Sequence, residues 1–289
     1  MRNPVACCDA RLLPGLGTVT VGTFNIRLFP DRETVPQTVA ERFAELGADV
    51  VMVQEIRDSS AFDAVLAEAS KATGRDYDAV LGPMCRGTEL CVGVVYDRTR
   101  FSLAEHREQV RLDPQGRCSC RDGHPPALLA VLDDGDARLA VMSVHLQFGA
   151  RRWQYRARRE QWEELVASMQ RIEAELQLPL VVGGDFNSTG WSDDDRGERR
   201  FIQTMAKQAG AALATVDVGC TAYWQPNRRT RQYVPSMLDH VLVRGGTVLG
   251  AQALGMCARL DGQSCTEEVG NPDYEQVSDH CPIKVDLSF

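Results

Sequence analysis

Short polar signatures that follow apolar, strand-like segments constrain this chain more than any other feature. They read TFNIR at 23–27, QEIRD at 54–58, SVHL at 143–146, GDFN at 184–187, LDH at 238–240 and SDH at 278–280. Each signature places a carboxylate, a carboxamide or an imidazole directly after a segment that is expected to be buried. Buried strands that all stop at such residues predict one shared rim of oxygen and imidazole groups. A rim of this kind suits a hard divalent cation and a phosphate ester.

The apolar pattern predicts that strands and helices alternate early in the chain and that pairs of strands dominate later. Strands are predicted at 18–24, 49–53, 77–81, 90–96, 101–111, 127–132, 138–146, 178–183, 238–243, 247–253 and 282–287, and helices at 35–46, 59–71, 152–177 and 198–209. The strands at 127–132 and 138–146 are predicted to form a hairpin, and those at 238–243 and 247–253 are predicted to pair. The mixture indicates two mixed sheets packed together with helices outside.

Length and charge set further limits. The chain has 289 residues, which fits an irregular leader over 1–17 followed by a single domain over 18–289. A net charge of −8 argues against a protein that simply coats nucleic acid, but not against an enzyme that holds phosphates through metals and local arginines. No apolar run is long enough to span a bilayer, so no stable membrane association is expected. The sequence leaves the oligomeric state open.

The 10 cysteines are a high count for this length, and none of them form a CxxC pair. Because most of them lie in loops rich in Gly, Asp and Arg, we expect several disulfides and a secreted or periplasmic protein. The alternative is a reduced protein with scattered buried thiols. Residues 1–4 do not resemble a secretion signal, which leaves both interpretations open.

Taken together, the signatures resemble those of the endonuclease/exonuclease/phosphatase superfamily of metal-dependent phosphoesterases over about residues 18–287. Two of them are most similar to pancreatic-type deoxyribonuclease, namely NIR at 25–27 followed by Phe29, and QEIRDS at 54–59. The resemblance implies a four-layer α/β/β/α sandwich (α/β, or α+β) of two mixed sheets flanked by helices. It also implies that Arg27 and Arg57 contact DNA.

Oxygen ligands are expected to hold the metal. Magnesium prefers them, and Glu55 is the best single candidate, in agreement with the resemblance. One or two sites are completed from the other acids and amides at strand ends, namely Asn25, Asp185, Asn187, Asp239 and Asp279. Mg²⁺ is the expected cofactor, with Mn²⁺ as a substitute and Ca²⁺ as a further structural ion that the sequence does not place.

His145 and His280 are the acid/base candidates, because imidazole titrates near neutral pH. The resemblance implies that a carboxylate orients each of them, with Asp239 paired to His280 and Glu89 paired to His145. Asp185 and Asn187 then hold the attacking water or the phosphate. His240 follows Asp239 directly and should face the opposite way, which indicates a structural histidine.

Two groups of arginines have more than one interpretation. The first comprises Arg151, Arg152, Arg156, Arg158 and Arg159, which either contact phosphate or form a solvated helix face paired with Glu160, Glu163 and Glu164. The second comprises Arg228, Arg229 and Arg231, which lie among the aromatic residues Tyr223, Trp224 and Tyr233. Arginine interleaved with aromatics suits stacking and phosphate contact, so Arg228, Arg229 and Tyr223 are expected to bind substrate. The alternative is a surface loop anchored by Cys220.

The sequence therefore predicts a Mg²⁺-dependent, deoxyribonuclease-like endonuclease that hydrolyses DNA by attack of water on phosphorus. The alternative is a phosphoesterase acting on lipid head groups, as a sphingomyelinase does, or on small phosphate esters. A lipid-cleaving enzyme needs an exposed apolar loop, for which Trp191 and Trp224 are the candidate tips. A non-catalytic binding module on the same fold is disfavoured, because the expected set of ligands and acid/base residues is complete.

Overall fold

The computed structural model describes residues 15–83, 90–109, 112, 127–192, 194–226, 229, 232–266 and 272–289. Its strands are β1 (Thr18–Phe29), β2 (Val50–Ile56), β3 (Tyr77–Leu81), β4 (Cys91–Asp97), β5 (Ser102–Gln109), β6 (Ala127–Asp133), β7 (Arg138–His145), β8 (Leu180–Asp185), β9 (Ala212–Leu213), β10 (Ala222–Trp224), β11 (Gln232–Ser236), β12 (Asp239–Arg244), β13 (Thr247–Ala253), β14 (Cys265–Thr266) and β15 (Ile283–Ser288). Its helices are α1 (Pro36–Leu46), α2 (Ser59–Thr73), α3 (Arg152–Leu176), α4 (Glu198–Gln208), α5 (Gly255–Arg259) and α6 (Pro272–Gln276).

Two mixed sheets of six strands form the centre of the molecule. The first has the order β13-β15-β1-β2-β4-β3, and the second has the order β5-β6-β7-β8-β12-β9. A smaller sheet of three strands, β10-β11-β14, lies beside them. The first and last long strands of the chain are neighbours, since Thr18 pairs with Ser288 in an antiparallel ladder.

The apolar side chains form three core regions, and these show how the helices and sheets are stacked. Between the two sheets, Val21 and Met52 of the first pack with Val141 and Val181 of the second. The outer face of the first sheet is covered by α1 and α2, through residues that include Phe43 and Phe62. The outer face of the second is covered by α3 and α4, through residues that include Trp162, Leu165 and Ile202. The predicted α/β/β/α sandwich is therefore confirmed.

The helices begin and end where local chemistry favours it. Pro36 starts α1, where its missing N–H is not needed, and Gly47 ends the helix in the left-handed conformation at φ 52°. The side chain of Asp58 accepts a hydrogen bond from the Ala61 amide and so caps α2. In α3 the apolar stripe that includes Trp162, Leu165 and Met169 is buried, as its spacing of three and four residues predicts.

One predicted strand pair is wrong. The hairpin of β6 and β7 forms as expected, with Asp133 opposite Arg138. In contrast, β12 and β13 do not pair around Gly245 and Gly246, because β12 belongs to the second sheet and β13 pairs with β15 in the first. The two glycines instead carry the chain from one sheet to the other, with Gly245 at φ 75°. A double glycine between apolar runs is compatible with either path, so the local pattern could not distinguish them.

Within the described ranges, no helix has both the length and the apolar character needed to cross a membrane.

Candidate active site

A row of three register-paired residues forms the base of the site. His145 at the end of β7 pairs with Asp185 of the parallel strand β8, and Asp185 pairs with Asp239 of the antiparallel strand β12. Paired residues on neighbouring strands point their side chains to the same face of a sheet. The Nε2 atom of His145 consequently lies 3.5 Å from Oδ2 of Asp185. These three side chains face the first sheet at one end of the sandwich.

Asn25 and Glu55 close the site from the first sheet. The amide nitrogen of Asn25 donates to Oε1 of Glu55 at 3.1 Å and to Oδ2 of Asp185 at 3.0 Å, which joins the two sheets. Oε1 of Glu55 also lies 3.8 Å from Nε2 of His145. The Leu28 amide donates to the other carboxylate oxygen of Glu55 at 2.9 Å.

A backbone irregularity aims Glu55 at this point. The neighbouring Gln54 is fully buried and donates to the Ser143 hydroxyl at 3.0 Å, so regular alternation would turn Glu55 to the opposite face. Instead, Glu55 has φ 66°, and the ladders on both sides of β2 shift register at this residue. A bulge of this kind re-aims a side chain. A positive φ is costly for a residue other than glycine, and such strain is concentrated at functional sites.

His280 and Asp239 form a hydrogen-bonded pair on the far side of Asp185. Nδ1 of His280 lies 2.8 Å from Oδ2 of Asp239, and its Nε2 lies 3.6 Å from Oδ2 of Asp185. Burial lowers the pKa of His280, but the charges of Asp239, Asp185 and Asp279 outweigh it and hold that pKa well above its ordinary value. These carboxylates thus favour the protonated form of the imidazole.

Two hydroxyl groups that the sequence analysis did not single out hold this pair in place. The Thr221 hydroxyl accepts hydrogen bonds from the amides of Leu238 and Asp239 at 2.8 and 2.9 Å. The Ser278 hydroxyl accepts from the His280 amide at 3.1 Å and donates to the Asn25 carbonyl at 2.8 Å. Ser278 stands two residues before His280, a spacing at which a hydroxyl can accept from the backbone, and this signal could have been used.

Asn187 is bound to both β7 and β8. Its backbone amide donates to Oδ1 of Asp185 at 2.8 Å, and its side-chain amide donates to the Leu146 carbonyl at 3.0 Å. Its φ is 50°, in the left-handed region that asparagine tolerates better than most residues. Its side-chain oxygen is not used by these bonds and is available to a ligand.

The donor set fits a divalent metal. One potential ligand atom from each of Glu55, His145 and Asp185 lies within 4.8 Å of the others, and the same holds for Asp185, Asp239 and His280. Burial raises the pKa of both Asp239 and Asp279, so their carboxylates are costly to keep charged. The buried Oδ1 atoms of these two aspartates have no hydrogen-bond partner within the described part of the chain. A hard cation would satisfy such atoms and stabilise the negative charge.

The structure thus brings together most of the predicted set. Asn25, Glu55, His145, Asp185, Asn187, Asp239 and His280 meet at one end of the sandwich, and Asp279 lies close enough to Glu55 for that carboxylate to raise its pKa. Glu89, the predicted partner of His145, and Arg228 lie outside the described residues.

The side chain of Arg27 is engaged by its own chain. Its guanidinium donates to the carbonyls of Tyr274 and Glu275 at 2.6 and 3.0 Å, and its Nε lies 3.3 Å from a carboxylate oxygen of Asp31. These contacts tie the end of β1 to α6. Arg57 follows β2, where its backbone amide donates to the Phe29 carbonyl at 2.7 Å.

The expectation that Tyr223 contacts substrate is corrected. Its ring is 1% exposed, packs with the cysteines near α5, and donates its hydroxyl to the Gln263 carbonyl at 3.0 Å. The neighbouring Trp224 is the exposed aromatic of β10, because successive side chains of a strand point to opposite faces. Arg229 is exposed.

The arginine cluster on α3 divides into two kinds. Arg151, Arg152 and Arg156 are exposed, whereas Arg158 is fully buried. Throughout the described ranges, none of the five arginines forms an ion pair with Glu160, Glu163 or Glu164. The described residues thus show none of the pairs with glutamate that this interpretation expected, whereas three of the arginines are solvated as it predicted.

His240 and Trp191 are structural. Nε2 of His240 lies 2.8 Å from the Ser188 hydroxyl and Nδ1 lies 3.0 Å from the Thr215 hydroxyl. Burial lowers the pKa of His240 to about 3. The Trp191 ring packs 4.7 Å from the His240 ring and is 5% exposed, so it cannot be the membrane-facing tip considered above.

One disulfide joins Cys257 of α5 to Cys281, the residue after His280, with a Cα–Cα distance of 6.0 Å. Cys91, Cys220 and Cys265 are free and buried. The remaining cysteines lie outside the described residues, namely Cys7, Cys8, Cys85, Cys118 and Cys120. Of the several disulfides that were expected, the described ranges show one, and three of their five cysteines are free.

Solved structures with the same fold are numerous, at low sequence identity. Human Nocturnin, in its catalytic domain with bound sulfate, is 17% identical with a TM-score of 0.65, covering 94% of each chain. D. rerio TDP2 in complex with single-strand DNA product is 15% identical with a TM-score of 0.64, covering 94% of this chain and 99% of that one. The mannosyl-6-phosphatase of Bacteroides thetaiotaomicron is 19% identical with a TM-score of 0.59, covering 94% and 100%. At these identities the similarity establishes the fold alone.

No curated protein sequence matches this chain. The sequence does match the Endonuclease/Exonuclease/phosphatase family over residues 22–280, which include every residue of the site from Asn25 to His280. The chain therefore belongs to the endonuclease/exonuclease/phosphatase family, whose members are metal-dependent hydrolases of phosphoester bonds.

Proposed function

We propose that this protein is a Mg²⁺-dependent endonuclease that hydrolyses DNA phosphodiesters, as the resemblance to pancreatic-type deoxyribonuclease implies. One observation carries the proposal. Two imidazoles lie near the same carboxylate oxygen, since Nε2 of His145 and Nε2 of His280 are 3.5 and 3.6 Å from Oδ2 of Asp185. An in-line displacement at phosphorus needs one group to take a proton from water and another to give one to the leaving oxygen.

The histidines have different environments, which suits two different roles. His280 is held cationic by Asp239, so it is the proton donor or the charge that stabilises the phosphoryl oxygens. His145 lies beside Asp185 and Asn187, which are placed to orient a water for attack. Mg²⁺, held by Glu55 with Asn25, Asp185 and Asn187, would supply charge stabilisation to the phosphate.

The surface that follows His145 supports a polymeric, anionic substrate. Phe148, three residues beyond His145, and Trp224 are each 51% exposed. Arg151, Arg152 and Arg156 are exposed close behind Phe148 and have no acidic partner among the described residues. Like charges at positions i and i+4, as for Arg152 and Arg156, destabilise a helix, so the arrangement is better explained by an anionic partner than by stability. Exposed aromatics beside arginines suit stacked bases and phosphates.

Conversion of supercoiled plasmid to nicked circles tests the proposal, with Mg²⁺ or Mn²⁺ and with EDTA, beside His145→Ala. Nicking that requires metal and is lost in the variant is the expected result. A matched variant, Arg151→Gln with Arg152→Gln and Arg156→Gln, should lose activity on plasmid while retaining hydrolysis of a small chromogenic phosphodiester. A folded protein that cleaves the small diester but no nucleic acid would contradict the proposal.

A phosphoesterase of lipid head groups or small phosphate esters is the second candidate. The observation that favours it is the engagement of Arg27 by Tyr274, Glu275 and Asp31, which removes one of the two expected DNA contacts unless those bonds open. A panel of phosphate esters, together with flotation of the protein with phospholipid vesicles, distinguishes the two candidates. Turnover of a monoester or a lipid in preference to plasmid would favour the second.

We further propose a secreted or periplasmic location. The disulfide between Cys257 and Cys281 supports it, because disulfides persist in oxidising compartments. Intact mass after alkylation, with and without reductant, is the test. Alkylation of every cysteine without reductant would remove the support.

A further inference from the structure

Arg158 of α3 is a fully buried arginine whose contacts lead to the active-site loops. Its side chain is 1% exposed, and its Nε lies 3.2 Å from Oε1 of Glu198, which is equally buried at the start of α4. An isolated buried charge is very costly, so the pair has to be satisfied by further hydrogen bonds. The partners of the guanidinium show what this arrangement achieves.

Three of those hydrogen bonds go to the segments that follow β7 and β8. One terminal nitrogen, Nη1, donates to the carbonyls of Gln147 and Gly149 at 3.0 and 2.6 Å. The other, Nη2, donates to the Thr189 hydroxyl at 2.8 Å. Gln147 comes two residues after His145, and Thr189 comes two residues after Asn187. One guanidinium thus holds both loops that leave the catalytic strands.

The two loops are also joined to each other at the same place. The Thr189 hydroxyl lies 3.1 Å from the Gly149 carbonyl, and the Thr189 amide donates to the Asn187 carbonyl at 2.6 Å. Tyr155 completes the arrangement, since its hydroxyl donates to the Thr189 carbonyl at 2.9 Å and its ring lies 4.5 Å from the guanidinium carbon. The planar fork of an arginine can serve several acceptors in fixed directions, which a lysine cannot do.

We propose that Arg158, supported by Glu198, is a positioning residue that fixes His145 relative to Asn187. Neither Arg158 nor Glu198 touches the reacting atoms. They act through the loops 147–149 and 187–189, so that the imidazole and the carboxamide stay at the spacing that the reaction needs. The proposal rests on the catalytic roles of His145 and Asn187 given above. A catalytic group displaced by about 1 Å can cost about 100-fold in rate, so such a brace matters more for turnover than for binding.

Steady-state hydrolysis of a small chromogenic phosphodiester by Arg158→Met, Arg158→Lys and Glu198→Gln tests the proposal. The expected result for Arg158→Met is a kcat lowered by about 10- to 100-fold with KM changed little, because positioning acts on the transition state. Arg158→Lys should have a kcat between those of Arg158→Met and the wild type, and Glu198→Gln should have a kcat close to that of the wild type. Thr189→Val, which keeps the ion pair and removes one acceptor, should lower kcat in the same direction if Arg158→Met does not fold.

Arg244→Met is the matched control. Like Arg158, Arg244 bonds a backbone carbonyl, that of Ala209 at 2.7 Å. It is only partly buried, and it lies at the end of β12 away from Asp239. This variant should lower the melting temperature without lowering kcat. If Arg158→Met and Thr189→Val lower only the melting temperature, as Arg244→Met does, Arg158 is structural and the proposal is overturned.

A readout that needs no turnover separates this proposal from the proposed function. The imidazole resonances of His145 should be sharp and single in the wild-type protein and broadened or doubled in Arg158→Met, while those of the exposed His106 stay unchanged. If no phosphodiester is cleaved by the wild type, this comparison still decides whether Arg158 positions His145. Unchanged His145 resonances in Arg158→Met and Thr189→Val would overturn the proposal.

Discussion

Asp239 and His280 are 41 residues apart in the chain, yet Oδ2 of the first and Nδ1 of the second lie 2.8 Å apart. Asp239 is at the same time the register partner of Asp185 on β8. Asp239, at the start of β12, therefore has two roles. Its carboxylate orients His280, and it lies beside Asp185, the carboxylate that both histidines contact. This double role makes Asp239 the residue through which the two halves of the site are connected.

Replacing Asp239 with asparagine should nearly abolish turnover. The amide keeps the size of the side chain but cannot hold His280 cationic, and loss of an orienting carboxylate costs on the order of 10³- to 10⁴-fold in kcat. Initial rates on plasmid or a small diester measure the effect. Asp133→Asn, at a half-buried aspartate that pairs with Arg138 far from the site, is the control and should leave turnover unchanged. A rate within a few-fold of wild type would refute the role given to Asp239.

Removing either imidazole should be as damaging as removing both. His145→Ala and His280→Ala are each expected to lower kcat by at least about 10³-fold, and the double variant by little more, because the two groups act in one step. His106→Ala on the exposed strand β5 should leave the rate unchanged. Fully additive losses in the double variant would show that the histidines act independently.

Glu55→Gln should weaken metal binding more than it lowers the stability of the fold. The amide keeps an acceptor for the Leu28 amide but lacks the charge that attracts a hard cation, so Mn²⁺ affinity should fall by at least about 10-fold. Isothermal titration with Mn²⁺ gives the affinity directly. Glu45→Gln, an exposed residue paired with Arg42, serves as the control. If both variants bind Mn²⁺ as the wild type does, Glu55 is not a ligand.

His240 should make stability fall as the solution becomes acidic. Burial lowers its pKa from 6.5 to about 3, so the unfolded chain binds a proton in this interval that the folded protein does not. The free energy of unfolding therefore decreases as the pH falls from the pKa of the unfolded chain towards that of the folded protein. The decrease is up to about 1.4 kcal/mol per pH unit. The hydrogen bonds explain why the His240 imidazole is neutral in the folded protein. The Ser188 hydroxyl donates to the Met237 carbonyl, so Nε2 of His240 must donate to Ser188. Nδ1 then accepts from the Thr215 hydroxyl.

Urea unfolding at several pH values between about 4 and 7 checks this prediction. His240→Gln should be less stable than the wild type near neutrality, by about 1–3 kcal/mol for the broken network, but its stability should vary less steeply with pH. His106→Gln should keep the wild-type slope. An equal slope in His240→Gln and the wild type would show that another group is responsible.

Gly184→Ala should prevent the site from forming. Gly184 has φ 153°, and a Cβ atom there would lie 1.9 Å from the Val144 carbonyl oxygen on the neighbouring strand. The neighbour is backbone, so β7 and β8 must separate one residue before His145 and Asp185, at a cost of more than about 4 kcal/mol. Gly250→Ala on β13, where a Cβ would meet nothing within 4 Å, is the control for thermal unfolding. A stable, active Gly184→Ala protein would contradict the close approach of the strands.

Much of the site could be predicted from the sequence because its chemistry follows local patterns. An apolar run that ends at Asn25 or Asp185, or that begins beside Asp239, indicates a buried strand with a polar residue at its edge. The spacing of Trp162, Leu165 and Met169 reports the buried face of α3. The turn at Asp133 gave a correct hairpin, since both of its strands are neighbours in sequence and in space.

Other parts depend on contacts between distant segments. The local pattern of β12 and β13 allowed a hairpin, but β13 pairs with β15, the last strand of the chain. Arg156 is exposed and Arg158 is buried, although they are two residues apart on the same helix. The difference in burial arises only from the packing of α4 and the loops against α3. The positive φ of Glu55 is imposed by the strands on both sides of β2.

The sequence by itself thus determined which residue types meet at the ends of buried strands, because strand and helix periodicity and side-chain chemistry are local properties. The tertiary structure decided which strands are neighbours, where Glu55 points and which arginines are free to meet a substrate. Those outcomes depend on register and packing between segments such as 25 and 185, or 158 and 198, whose interactions no local pattern encodes.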